Sequence, residues 1–341
     1  MKQPAFSEFR KVLLRQDRPA HLPLYEHIAS PGFISERLGC DIRKAKGRDY
    51  WKLYVDFWLG MGFDCIPMEI PFNLGPQPEL PKDHPAYQSE EGARIFSRDD
   101  LEKVRWPDPA CPINFEPFEI VAGLIPEGVK IVGGVCCGPF EVASQRIFGV
   151  MGLSLMLADD PKLVRVVFEK LGALYVSANR TLASMDAIGA CRQGDDLGFK
   201  TSTFLPPRVL RECVFPIYKG MADAAHAQGK PFILHSCGDL HEVYEDLIAC
   251  GIDAKHSFED QILPVADFKK QFGRRITPLG GLDVDFICRS DESALRAYTR
   301  KAVEECWADG YWALGTGNSL TDYMPVGNYL VVLDEARKVA G

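Results

Sequence analysis

The sequence has no apolar run of about 18 residues, which excludes a conventional membrane-spanning helix. It has no Lys/Arg cluster, and its 39 basic residues are outnumbered by 47 acidic ones, for a net charge of −8. Nucleic acid and anionic membrane surfaces are therefore poor partners. The opening segment MKQPAFSEFRKVLLRQDRP carries no apolar signal core, so secretion is not expected and a cytoplasmic location is. No CxxC pair occurs. The 11 cysteines are an odd number in a chain of 341 residues, far too long for a disulfide scaffold. They are expected to be reduced thiols, mostly small buried hydrophobes. Cys136 and Cys137 are adjacent, and neighbours on a strand point to opposite faces, so they are poor candidates for one shared site. Low-complexity tracts and short repeats are absent too.

What is present is globular composition, 46% hydrophobic and 25% charged, with ample chain for a full core. Short apolar runs alternate with amphipathic segments, which reads as strand then helix, repeated. Strand candidates fall at residues 23–25, 63–70, 129–137, 187–191, 231–234, 253–257, 276–279 and 312–314. A helix is expected over 51–61. Another opens after Asp159-Asp160 with Pro161 in its first turn, and Leu163, Val166, Val167, Leu171, Leu174 and Ala178 recur at helical spacing. Pro207 opens a helix with Leu210, Cys213, Val214, Ile217, Tyr218 and Met221 on one stripe. A short helix is expected at about 240–250, another from a Ser290 cap to about Cys306, and a closing one after Pro325. Residues 73–129, Pro-rich at Pro76, Pro78, Pro81 and Pro85, read as an irregular excursion. Eight strands, most followed by helices, predict an α/β chain folded as one (β/α)8 TIM barrel over residues 1–341, with that excursion as an N-terminal insertion on the rim. An open doubly wound sheet binding a dinucleotide would need a Gly-rich turn after the first strand, and there is none.

In a barrel the chemistry sits at the C-terminal ends of the strands. Those ends carry Glu26 and His27, Glu69, Asp195 and Asp196, His235 and Cys237, His256 and Glu259, Asp283, and Asn318. Any one of these alone is an ordinary helix cap or turn residue; their accumulation on one rim marks a site. His235-Ser236-Cys237 is the sharpest element. At i and i+2 on extended chain the two side chains share a face, and imidazole nitrogen and thiolate sulfur are both good zinc ligands. A catalytic zinc wants a third protein ligand, for which Glu69, Glu26, Asp196 and His256 are chemically able. A carboxylate desolvated at Glu69 would be a usable acid or base.

The run GDDLGFKTSTFLPPRVLRECVFPIYKGMADAAHAQGKPFILHSCGDLHEVYEDLIACGIDA, with the later GGLDVD and GYWALGTGNSL, resembles the uroporphyrinogen decarboxylase superfamily. The resemblance is close over roughly residues 130–341 and loose before them. It implies a (β/α)8 barrel that is either a porphyrinogen decarboxylase or a zinc-dependent methyltransferase of corrinoid metabolism. The decarboxylases' Arg-rich motif after the first strand is missing from Pro23-Leu24-Tyr25-Glu26-His27-Ile28-Ala29-Ser30, and Glu69 stands where their catalytic Asp would be. The methyltransferases' His-x-Cys corresponds to His235 and Cys237, but their late Cys is absent from Gly315-Thr316-Gly317-Asn318-Ser319. The segment Lys255-His256-Ser257-Phe258-Glu259-Asp260 suggests a replacement ligand from the sixth strand. The expectation is a Zn2+-dependent methyltransferase of the O-demethylase type, moving a methyl group between a small aryl ether or amine and a corrinoid protein. The alternative is a carboxy-lyase acting on a porphyrinogen or a smaller acid. Glu69, Asp196 and His256 are assigned to catalysis. Glu26, His27, Asp195, Glu259 and Asn318 are assigned to the substrate, and His235 and Cys237 to the metal. The partners expected are a small molecule and a corrinoid protein, with a homodimer as the candidate assembly.

Overall fold

A computed structural model describes residues 4–75, 93–95 and 97–341. Six parallel strands pair in sequence order: β1 Cys65–Ile70, β2 Lys130–Val135, β3 Ile188–Gly194, β4 Phe232–His235, β5 Ala254–His256 and β6 Thr277–Pro278. The chain returns between neighbouring strands through helices, as parallel pairing requires. Two further segments complete a ring. Leu279 bridges Ala313 in parallel, and Leu314 bridges Leu24. The Tyr25 N–H donates to the Leu314 carbonyl at 2.8 Å, and the Leu314 N–H to the Pro23 carbonyl at 2.9 Å. The backbones meet so closely here that a Cβ on Gly315 would fall 1.8 Å from the Tyr25 carbonyl oxygen. The result is the TIM-barrel-like fold expected, with all eight strand segments in the expected places.

The seam between residues 23–27 and β1 is held by side chains. Arg192, from β3, donates to the His27 carbonyl and to Glu69 Oε2, the latter at 2.9 Å. The Tyr54 hydroxyl, from the helix Gly47–Met61, donates to the Pro67 carbonyl at 2.6 Å. β3 runs three residues past the expected 187–191, to Gly194, continuing its parallel pairing with β2 and β4. The Gln193 amide nitrogen lies 2.8 to 3.0 Å from the carbonyls of Val135, Cys137 and Gly194, among which its two hydrogens are shared, while its Oε1 has no partner among the described residues.

The helices sit as their apolar spacing requires. Pro161–Ser184 starts from an Asp160 cap and buries Leu163, Val164, Val167, Leu171, Leu174 and Ala178, leaving Val166 half-buried. The helix opened by Pro207 is broken by a π turn over Leu210–Val214 before resuming as Phe215–His226. Pro216 has no N–H to give the preceding turn, which explains the break. The cap expected at Ser290 is instead Asp291, whose carboxylate accepts from the Ala294 N–H. The excursion carries a 3-10 segment, Arg98–Lys103, and a short helix, Glu116–Ala122. Its prolines 76, 78, 81 and 85 lie outside the described residues. Among the described residues no single helix is long and apolar enough to cross a membrane.

Arg192 is 1% exposed and clamps two strands. Removing one partner of a buried ion pair costs about 3–5 kcal/mol, so Arg192→Leu is expected to lower the urea midpoint by that equivalent. Unfolding superimposable on wild type would show that the seam does not need the guanidinium.

Candidate active site and metal centre

The C-terminal mouth of the barrel gathers three imidazoles. His235 ends β4 and His256 ends β5, so parallel register sets them side by side. Their Nδ1 atoms lie 2.7 Å apart. His256 Nε2 lies 2.9 Å from the Thr316 carbonyl, which can only accept, so Nε2 carries the proton. His256 Nδ1 is then an acceptor, and His235 Nδ1–H is its donor. The consequence is that His235 Nε2 keeps a lone pair. Burial, and the neighbouring imidazole and cations, hold His235 well below the usual histidine range and push His256 down to about 3, so both rings are neutral at pH 7. His27 stacks on His235 with ring centroids 3.9 Å apart and 15° between planes. This close stack needs the missing side chain of Gly194, where a Cβ would sit 2.8 Å from His27 Nε2.

The free Nε2 of His235 faces two further donor atoms. Cys237 Sγ is 3.5 Å away and Asp196 Oδ1 3.6 Å away. One ligand atom from each of Asp196, His235 and Cys237 lies within 4.8 Å of the others, which makes them one candidate metal cluster. Burial pushes the Cys237 thiol up to about 12. The Asn318 amide donates to its sulfur at 3.2 Å and Ser257 Oγ approaches at 3.5 Å. One sulfur, one imidazole nitrogen and one carboxylate oxygen match the three protein ligands of a catalytic zinc with a fourth position open. The donor set therefore fits that ion.

The remaining candidates divide. Glu69 lies beside the imidazoles, 2.9 Å from Arg192 and 3.6 Å from His27 Nε2. Glu259 and Asn318 line a cavity of about 580 Å³ with Lys200, Phe258, Asp283 and Tyr323, adjoining the cluster at Asn318. His256 is fully buried behind His235 rather than facing this space. Glu26 is also fully buried; it accepts from the Thr316 N–H and hydroxyl at 2.7 and 2.6 Å and from the Tyr329 hydroxyl at 2.9 Å. Asp195 accepts from the Phe140 and Glu141 N–H groups and the Tyr218 hydroxyl. The carboxylate of the candidate cluster thus comes from the chain just after β3, and no residue of β5 joins that cluster. Arg192 had no assigned role from sequence. Its only signal was a guanidinium at an otherwise apolar strand end, and it delivers an arginine to His27 from β3 where the first strand has none.

The family model for uroporphyrinogen decarboxylase (URO-D) matches residues 83–339. Among solved structures, a methyltransferase from Methanosarcina mazei superposes with a TM-score of 0.69 at 18% identity, covering 97% of this chain and 97% of that one. At that identity the likeness is one of fold. Comparison with curated proteins returns no match.

Burial raises Glu26 from its ordinary 4.5 to about 7. Between those values the native state holds more of this proton than the unfolded chain does, so this contribution to stability is full below 4.5 and is lost as pH rises toward 7. Glu26→Gln cannot ionise. The stability difference, wild type minus variant, should fall across that window; a flat difference would show that Glu26 does not titrate there.

Proposed function

The chain belongs to the uroporphyrinogen decarboxylase family, and within it we propose a zinc-dependent methyltransferase, one barrel domain moving a methyl group between a small aryl ether or amine and a corrinoid protein. The observation that carries this reading is the Asp196–His235–Cys237 donor set with the His235 Nε2 lone pair turned toward the other two. Zinc bound by these three residues would act as a Lewis acid on the heteroatom that carries or accepts the methyl group. The shared fold of the methanogen methyltransferase is compatible with it.

The chain's own groups have definable tasks. The Thr316 carbonyl and His256 hold His235 in the tautomer that leaves Nε2 free, and a ligand histidine oriented in this way binds better. Asn318 steadies the Cys237 sulfur and borders the cavity, so it reports ligand position to the donor set. Glu69, held by Arg192, is the carboxylate available to accept or return a proton near the imidazoles. Phe258 offers an apolar wall and Lys200, Glu259 and Asp283 a mixed polar rim, a pocket suited to a small polar molecule.

A carboxy-lyase acting on a porphyrinogen is the second reading, favoured only by the Arg192 guanidinium inside the barrel. That cation already faces Glu69, and a uroporphyrinogen brings eight carboxylates that each need a cation or water.

Protein purified without chelator, or reconstituted, is expected to hold one zinc per chain, and Cys237→Ser to lower that stoichiometry sharply. His256→Ala removes no donor, yet should weaken zinc binding about 10–100-fold, as loss of an orienting partner does. A chain that neither carries nor accepts zinc would discard the metal. For activity, the protein is incubated with a methyl donor and cob(I)alamin in one vessel and with uroporphyrinogen in another. Formation of methylcob(III)alamin is expected in the first, falling about 100-fold or more with Glu69→Gln or His235→Ala. Loss of carboxylates in the second, with nothing in the first, overturns the methyltransferase reading.

A further inference from the structure

Cys136 and Cys137 follow β2 at the same barrel mouth, and alternation on extended chain would point them apart. They do not point apart. Cys137 adopts a left-handed backbone, φ 58°, which brings the two Sγ atoms to 3.8 Å. Theirs is the one sulfur–sulfur hydrogen bond among the described residues, and all 11 cysteines are free. A left-handed non-glycine residue is costly, so the surrounding contacts must impose it. They can be named. The Cys136 N–H donates to the Ile70 carbonyl at 3.1 Å. The Cys137 carbonyl accepts from the Tyr175 hydroxyl at 2.7 Å and from the Gln193 amide at 3.0 Å. Both cysteines are half-buried, so a small reagent can reach them.

We infer that Cys136 and Cys137 form a preorganised vicinal-dithiol site for one thiophilic centre, a trivalent arsenical or a soft divalent cation such as cadmium, separate from Asp196–His235–Cys237. Two sulfurs at about 2.3 Å from one tetrahedral zinc-sized ion lie about 3.8 Å apart, and a pyramidal trivalent arsenic or a larger cadmium needs the pair to move only a few tenths of an ångström closer or further from the spacing present. A disulfide is the poorer use of the pair. It needs the sulfurs at about 2.05 Å, and adjacent Cα atoms, about 3.8 Å apart, are closer than disulfides ordinarily span. The hydrogen bond between the thiols also differentiates them, lowering Cys137 and raising Cys136, so the pair has a first thiol to ionise and a second to follow. Neither this site nor its test depends on the methyl-transfer reading.

With phenylarsine oxide the step is balanced: both S–H protons leave with the arsenic-bound oxygen as one water, and two As–S bonds form without any change of oxidation state. Native mass spectrometry of the reduced full chain should show one phenylarsenic adduct, removed by 2,3-dimercaptopropanol. Cys237→Ser should keep that adduct, and Cys136→Ser and Cys137→Ser should each lose it. In the Cys237→Ser background, cadmium should give a thiolate charge-transfer absorption that disappears when either Cys136 or Cys137 is also replaced. This second measurement, made on variants whose circular dichroism matches wild type, separates loss of the site from loss of the fold. No adduct on wild type, an adduct that survives replacement of either cysteine, or one lost with Cys237 overturns the proposal.

Discussion

One hydrogen-bonded line organises the mouth of the barrel: Thr316 carbonyl, His256, His235. An imidazole has one donor and one acceptor when neutral, so fixing one proton at the carbonyl end fixes every proton along the line. Burial keeps the rings neutral, since a charged imidazole there would lose its hydration. The line itself rests on Glu26. Its carboxylate holds the Thr316 N–H and hydroxyl, and so fixes the carbonyl that starts the relay. A residue of the first strand segment thereby determines which nitrogen of β4 is available for a ligand.

The other buried polar groups around the line are likewise committed to structure. Arg192 joins the first strand segment to β1. Asp195 is held by two backbone N–H groups and the Tyr218 hydroxyl. Lys255 is fully buried, with its ammonium on the carbonyls of Ser236 and Ser257 and over the Phe258 ring at 4.3 Å. Desolvation pulls it down to about 8. The pairing leaves Arg192 Nε and Gln193 Oε1 without a partner among the described residues, but the contacts that are made hold these groups in place. Against that background the converging Asp196 oxygen, His235 nitrogen and Cys237 sulfur stand out as atoms whose arrangement suits a cation.

The barrel was legible in the sequence because buried parallel strands are near-continuous apolar runs and each is followed by a periodic helix. The i, i+2 spacing put His235 and Cys237 on one face, and their Nε2 and Sγ stand 3.5 Å apart. What sequence could not supply was direction at strand ends. Asp195 and Asp196 are chemically alike, yet Asp195 is held by two backbone N–H groups and the Tyr218 hydroxyl, whereas Asp196 accepts from the Cys237 N–H and stands 3.6 Å from His235 Nε2. His256 and Glu26 are on the expected strand segments and are fully buried there. Arg192 and Gln193 read as the start of a loop, because only the folded barrel provides carbonyls for them. The alternation rule failed at Cys136-Cys137 because a single left-handed residue reverses it, and that conformation is imposed by Tyr175 and Gln193, distant in the chain.

The central claim is that Asp196, His235 and Cys237 bind one ion together, and zinc-edge X-ray absorption of the zinc-loaded chain tests it most directly. The expected shell holds one sulfur at about 2.3 Å and the remainder nitrogen or oxygen at about 2.0–2.2 Å, with the sulfur lost in Cys237→Ser. A shell of oxygen and nitrogen alone, or a sulfur that persists in that variant, would contradict it.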